Sequence, residues 1–374
     1  MIIGVLKEIK PNEYRVAAVP DTVRELVAHG HEVYVEHDAG KLAGSSDADY
    51  EAAGAIVADK DTVYNKCTLI YKVKEIFPEE FKYITKDKIV ITYIHSNAYP
   101  EQTDTLLNSG CTAFAYEDFR DEQGGLPLLK PMSQIAGRGG FMAAVNYKQA
   151  VHGGDGQMLC NIPGIDTAVV TIIGAGNSGM GAATLAAAWG NEVRIIDNSI
   201  KALEAAKLAL PNNVTFLMSN RANFVKCIKE SDVIINCIMW DRTKSDPLIY
   251  KEDLKMMKPG AMIVDVACDD PGALESAHTT THDNPIYVEE GIIHYCVDNI
   301  PSAFAKTASE MLSHATLPIV LEIANKGVEQ ALIDNKYLMR TGLTCYDGKL
   351  TLAETAIKQN RPLTDVNELV KTFK

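Results

Sequence analysis

The stretch VVTIIGAGNSGMGAATLAAAWGNEVRIIDN runs from Val169 to Asn198. A β-branched apolar run leads into Gly174-Ala175-Gly176-Asn177-Ser178-Gly179; an alanine-rich segment follows, and a second apolar run ends on Asp197. That order predicts strand, tight turn, helix, strand. Gly174 permits the turn, Gly176 lets a pyrophosphate approach the backbone, and Gly179 lets helix and strand pack closely. The helix N-terminus, where Asn177 and Ser178 lie, offers N–H groups and positive potential to phosphates. GxGxxG alone is weak evidence, but here the strand, the helix and the terminal acid agree. A carboxylate at Asp197 can accept hydrogen bonds from ribose hydroxyls and repels a 2′-phosphate. NAD is therefore expected over NADP, although Lys201 is near. The motif stands mid-chain, so residues 1–168 need an explanation of their own.

The 374 residues suffice for two ordinary domains with a large core. Hydrophobic residues make up 47% of the chain and charged residues 23%, the balance of a globular protein. No apolar run reaches the roughly 18 to 20 residues of a membrane span. The opening MIIGVLKEIK is too charged for a signal peptide and reads as a strand. A cytoplasmic protein without a membrane partner is expected. The net charge of -13 argues against nucleic acid, which normally requires a basic face. It does not exclude a small anionic substrate, which one local Arg or Lys can hold. The eight cysteines form no CxxC pair, so buried free thiols are expected and a zinc site is not.

Strands and short helices alternate through the N-terminal part. IIGVLKE, HEVYVEH, CTLIYKVKE, KIVITYIHS and CTAFAYEDF read as strands. TVRELVAHG, DADYEAAGAIVA and PEQTDTLLNSG read as helices. After Phe119 a Gly- and Pro-rich linker leads into a helix around 133–152. AVVTIIG, EVRIID, TFLMS, DVIINCI and AMIVDVA follow as strands. Residues 302–334 turn helical, with Pro318 expected to kink or split the helix. The expected fold class is α/β, with two Rossmann-like parallel-sheet domains. The dinucleotide-binding domain, 131–304, would be inserted into a discontinuous substrate domain, 1–130 and 305–374.

Ligands of open α/β sheets bind beyond the carboxyl ends of the strands. Lys72 and Lys74, His95, Glu117, and the pair Asp269 and Asp270 stand at such ends, and Arg15 follows the first strand. Singly, each is as well read as a solvated charge, a cap or a structural hydrogen bonder. Together they supply cations, an imidazole and carboxylates for one cleft if the two domains face each other.

A resemblance then becomes specific. GVLKEIKPNEYRVAAVP, YKVKE, ITYIHS, YEDFRDEQGGLPLLKPMSQIAGR, the Gly174 loop, VDVACDD and DNIPSAFAKTASEMLSHATLPIVLEIANKG resemble the alanine dehydrogenase family, in its order and spacing over nearly the whole chain. The family shares its fold with the alpha subunit of nicotinamide nucleotide transhydrogenase. The resemblance implies oxidative deamination of L-alanine to pyruvate and ammonia with NAD. It implies Arg15 on the substrate carboxylate, Lys74 on the carboxylate or carbonyl oxygen, and His95 as proton shuttle. Asp269 would activate water or stabilise the iminium-to-carbinolamine step on the cofactor side. Tyr93, Glu117, Met132 and Asn299 match positions around the substrate, and Ser133 and Ser219 positions around the cofactor. A homo-oligomer, hexamer or dimer, is also implied.

The chain departs from the family pattern after His95, where Ser96 and Asn97 replace small or apolar residues, and at Ile76 and Asp270-Pro271-Gly272. A small loop expected near the nicotinamide becomes MWDRTKSDP, Met239–Pro247. Such changes can redirect specificity, because one methylene is worth only about 1–3 kcal/mol of discrimination. An opine-type reductive condensation of an amino acid with a 2-oxo acid, like that of N5-(carboxyethyl)ornithine synthase or saccharopine dehydrogenase, is therefore a second reading. A dinucleotide-binding module without catalysis is a third, disfavoured by the retained Arg15, Lys74 and His95.

Overall fold

A computed structural model describes residues 1–240, 246–268 and 272–373. The chain forms two compact units, one from Met1–Met132 with Ala305–Lys374 and one from Ser133–Phe304. Six strands open the first unit: β1 (Ile2–Val5), β2 (Glu32–Glu36), β3 (Ile56–Ala58), β4 (Leu69–Tyr71), β5 (Ile89–Thr92) and β6 (Thr112–Ala115). The second unit holds β7 (Val169–Ile173), β8 (Glu192–Asp197), β9 (Val214–Met218), β10 (Val233–Asn236), β11 (Met262–Asp265), β12 (Ile286–Glu289) and β13 (Ile292–Tyr295). The chain then returns to the first with β14 (Leu343–Tyr346) and β15 (Lys349–Leu350).

The first sheet has the order β15-β14-β6-β5-β4-β1-β2-β3. Strands β1 to β6 are parallel, and antiparallel β14 and β15 close one edge. The second sheet, β12-β13-β11-β10-β7-β8-β9, is parallel except for its edge strand β12. Each sheet is wound outward from its centre in two directions, so strand order reverses between β1 and β4 and between β7 and β10. Such reversals open a crevice at the carboxyl ends of the strands, where ligands of this architecture bind.

Strands β4, β5 and β6 are buried at every residue. A parallel sheet covered on both faces needs continuous apolar runs such as LIY and IVIT rather than alternation. Several helix and strand expectations need correction. The DADYEAAGAIVA segment is helical only over Asp47–Ala52, and its end forms β3. Gly54, at φ 95°, separates the two by stopping the helix. CTLIYKVKE is a strand only over Leu69–Tyr71. The helix placed at 133–152 spans Lys130–Tyr147. Pro318 does not divide its helix, which runs unbroken over Ala305–Lys326; the break falls at Gly327, φ 79°.

Two packing features position the sites. A Cβ on Gly137 would lie 1.8 Å from the Ser178 carbonyl oxygen, and one on Gly181 2.4 Å from that of Gln134. The helices Lys130–Tyr147 and Asn177–Ala188 therefore touch backbone to backbone. In the first unit, Ser309 and Ser313 of the Ala305–Lys326 helix accept the N–H groups of Val16 and Val19, at 2.9 and 3.1 Å. The returning helix thereby fixes the segment that follows Arg15. No helix among the described residues is long and apolar enough to cross a membrane.

Candidate active site

The carboxyl ends of β1, β4, β5 and β6 gather most of the expected substrate residues on one edge of the first sheet. Arg15 is buried, 4% exposed. Its Nε and Nη2 donate to the two Glu13 oxygens at 2.7 and 2.6 Å, and Nη1 points to the Met132 sulfur at 3.4 Å. Burial opposes its charge, but the Glu13 carboxylate outweighs burial and holds the guanidinium firmly protonated. The two-pronged face expected to grip the substrate is thus occupied by Glu13.

Lys72 and Lys74, two residues apart, have opposite environments. Lys72 is fully buried, with its ammonium 2.6 Å from Glu80 and 3.5 Å from Glu8. Tyr64 also donates to Glu80, at 2.8 Å. Lys72 is therefore part of a buried ion cluster, and the strand-end reading of it as a site cation is corrected. Lys74 is half-buried, and no hydrogen bond or ion pair engages its amino group among the described residues. Burial, then the Arg15 and Lys10 charges, push its pKa down. A cation in that condition has strong electrostatic reason to take up an anion.

His95 follows β5 in a left-handed conformation, φ 49° and ψ 41°. A non-glycine residue there costs on the order of 1–3 kcal/mol and persists only where its surroundings enforce it. Its N–H donates to Glu117 Oε1 at 2.5 Å, and its Nδ1 lies 3.6 Å from the same oxygen. The imidazole stacks on Tyr93, centroids 6.0 Å apart, and remains 41% exposed. Desolvation by the surrounding chain, then the Lys74 charge, lower its pKa, which favours the neutral imidazole. Tyr93 spends its own hydroxyl on the Leu128 carbonyl, at 3.0 Å. Glu117, driven up to about 8 mainly by burial and then by Asp118, keeps a buried Oε2 with no hydrogen-bond partner among the described residues.

The departures Ser96 and Asn97 point elsewhere. Ser96 Oγ bonds Thr355 Oγ1 at 2.7 Å, and Asn97 Nδ2 donates to Glu354 at 2.6 Å. They dock the helix Ala353–Lys358.

The second unit carries the dinucleotide candidates. Gly174 takes φ 100° and closes the turn after β7. A Cβ on Gly179 would sit 1.8 Å from the Gly174 carbonyl oxygen, whereas Gly176 has open space. Gly176 and Asn177 are exposed and Ser178 is half-buried at the start of a helix with no acidic residue in its first turn. Asp197 ends β8, and its carboxylate accepts the N–H groups of Ala175 and Ser199, each at 2.7 Å. Ser219 follows β9 and donates its N–H to the Asp197 carbonyl at 2.8 Å. Ser133 lies in the first turn of the Lys130–Tyr147 helix. Asn299 is buried, and its carbonyl accepts from His282 Nε2 at 2.9 Å. Asp269 and Asp270 lie outside the described residues, as do 241–245 of the Met239–Pro247 loop. Asp265, buried at the end of β11, shapes the turn before them by accepting from Asn236, Ala267 and Cys268 at 2.9–3.1 Å.

Sequence reasoning missed Glu13, Glu8 and Glu75. Glu75 is buried, 3.5 Å from the Lys10 ammonium, and accepts from the Tyr99 hydroxyl at 3.3 Å. Each stands within two residues of a cation in NEYR, LKE or KVKE. Only Glu13 pairs with the cation beside it in sequence, Arg15; Glu8 and Glu75 pair with Lys72 and Lys10. Among the described residues no cluster of His, Cys, Asp or Glu could hold a metal ion, and all eight cysteines are free.

Family profiles described as alanine dehydrogenase/PNT, N-terminal domain and C-terminal domain match residues 4–136 and 141–353. The alanine dehydrogenase of Methanococcus maripaludis is 41% identical over 366 residues, 97% of this chain and 98% of its own. That of Bacillus subtilis is 41% identical over 358 residues, 95% and 94% of the two chains. A solved L-alanine dehydrogenase superposes with a TM-score of 0.91 at 36% identity, covering 96% of this chain and 99% of that one. A transhydrogenase from Sinorhizobium meliloti shares the fold, with a TM-score of 0.82 at 22% identity.

Proposed function

We propose, for a chain that belongs to the alanine dehydrogenase/PNT family, the oxidative deamination of L-alanine. L-alanine, NAD⁺ and water give pyruvate, ammonium, NADH and a proton. The observation that carries this reading is the Lys74 ammonium, without a partner among the described residues, on the same sheet edge as Arg15 and a neutral His95.

The second unit fits a dinucleotide. Open space at Gly176 and exposed N–H groups at the helix start suit a pyrophosphate. Asp197 keeps lone pairs beyond its two backbone contacts for ribose hydroxyls, and its charge favours NAD over NADP. When bound, the nicotinamide accepts the hydride from the amino acid's Cα. Ser133, Asn177, Ser178 and Ser219 supply further polar contacts in this reading.

Arg15 and Lys74 hold the substrate carboxylate in this reading. Tyr93 packs the His95 ring, and Glu117 fixes its backbone. The neutral imidazole takes a proton from the substrate's amine or from attacking water and returns it in the reverse reaction. Asp269 is assigned to the same proton traffic, and Asn299 to the substrate's surroundings. The protein acts in the cytoplasm as a homo-oligomer.

The test is NADH formation at 340 nm from NAD and a panel of L-amino acids, with ammonia assayed in parallel. Equal amounts of NADH and ammonia from alanine support the reading. Silence with alanine, together with NADH oxidation by pyruvate plus a larger amino acid such as ornithine, would replace it with reductive condensation.

A further inference from the structure

The turn after His95 is anchored from a distant part of the chain. Ser96 Oγ and Thr355 Oγ1 share a buried hydrogen bond of 2.7 Å. Gln359 Nε2 donates to the Ser96 carbonyl at 2.6 Å, and Asn97 Nδ2 donates to Glu354 at 2.6 Å. Thr103 adds its hydroxyl to the Ser96 carbonyl at 3.0 Å. Thr355 and Ser96 are 2% and 4% exposed, so their hydroxyls exchange little with water. His95 itself holds a left-handed φ of 49°, and its carbonyl accepts from Ala98 at 2.8 Å. On the other side, its N–H is fixed by Glu117. A residue in that backbone state stays there only if both flanks are held. Glu117 holds one flank, and Thr355, Glu354 and Gln359 hold the other.

We infer that the segment 353–359 is a positioning element for the His95 imidazole, acting through the Ser96–Thr355 hydroxyl pair and the Gln359 amide. The inference rests on the reading of His95 as proton shuttle. It also gives the departures Ser96 and Asn97 a task in this chain. Releasing the clamp lets the turn relax toward ordinary backbone angles and swings the ring off Tyr93. The titratable groups that face the ring are Lys74 and Glu75 after β4, Lys10 and Arg15 after β1, and the Glu117 carboxyl after β6. Glu354 is the charge brought by the helix Ala353–Lys358. A shifted ring meets a different sum of these fields.

Thr355→Val keeps the shape and removes the hydroxyl; Gln359→Leu and the milder Asn97→Ala are companions. The expected result for Thr355→Val is a kcat lowered about tenfold by misplacement of the proton carrier, with KM for NAD unchanged. The His95 resonance, assigned among the nine histidines by its loss in His95→Asn, titrates at a shifted pH in Thr355→Val. Thr355→Ser restores both values. Should Thr355→Val fold poorly, Asn97→Ala and Gln359→Leu are read in the same way. Unchanged kcat and an unchanged His95 titration in the folded variants would overturn the inference. Unchanged kcat in His95→Asn would instead overturn the underlying reading of His95, leaving the titration to judge the clamp by itself.

Discussion

Lys72 and Lys74 show how much one residue's surroundings decide. Both follow β4, and both are legible in YKVKE as cations at a strand end. Only the structure separates them, because the carboxylates that claim Lys72 come from Glu8 and Glu80, elsewhere in the chain. Lys74→Met is expected to raise KM for alanine about 10- to 100-fold, the worth of a lost charge-assisted hydrogen bond. NAD affinity, followed by fluorescence titration, should stay as it was. An unchanged KM would remove Lys74 from the substrate. Glu117 makes a second case at this scale. Its carboxyl is raised from 4.5 to about 8, so the folded state holds a proton that the unfolded state releases. Stability is then lost as pH climbs through that window. Glu117→Gln keeps an acceptor for the His95 N–H without the charge. Its melting temperature should exceed the parent's by more at pH 8 than at pH 5, with activity reduced. An equal difference at both pH values would show that the carboxyl is not raised.

Elements were legible wherever a local demand fixed a residue type. The Gly174 loop is the clearest, since turn, open face and close packing each require a glycine and each is observed. Gly137 has the same character, although nothing in QIAGRGG says which helix it meets. Gly137→Ala would drive a methyl into the Ser178 carbonyl and force the two helices apart. We expect a loss of about 1–3 kcal/mol in denaturant unfolding and a weakened affinity for NAD. Full stability would mean the helices are not in backbone contact. The hairpin β12–β13 and the β14–β15 pair were missed, though their turns carry a signal. Glu290-Gly291 and Asp347-Gly348 all take positive φ, the pattern of a two-residue hairpin turn. Between flanks without strict alternation, that signal was outweighed by the helix-and-strand rhythm around it.

At the scale of the whole molecule, residues 302–334 read as a long helical stretch able to carry the chain back, and in the structure Ala305–Lys374 groups with Met1–Met132. The seryl contacts by which that helix holds Val16 and Val19 were not legible, because small polar residues inside a helix announce no partner. The candidate substrate residues were legible in the sequence only as a set of strand-end positions. Its electrostatics depend on partners far apart in sequence: His95 answers to Glu117, and Ser96 to Thr355. The claim on which the proposed function turns is that a hydride leaves the Cα of alanine for NAD. The direct measurement uses L-alanine deuterated at Cα, with the reduced cofactor analysed by mass spectrometry. NADH that carries the deuterium, formed in step with ammonia, is expected. Reduced cofactor without the label, or no reduction at all, would contradict it.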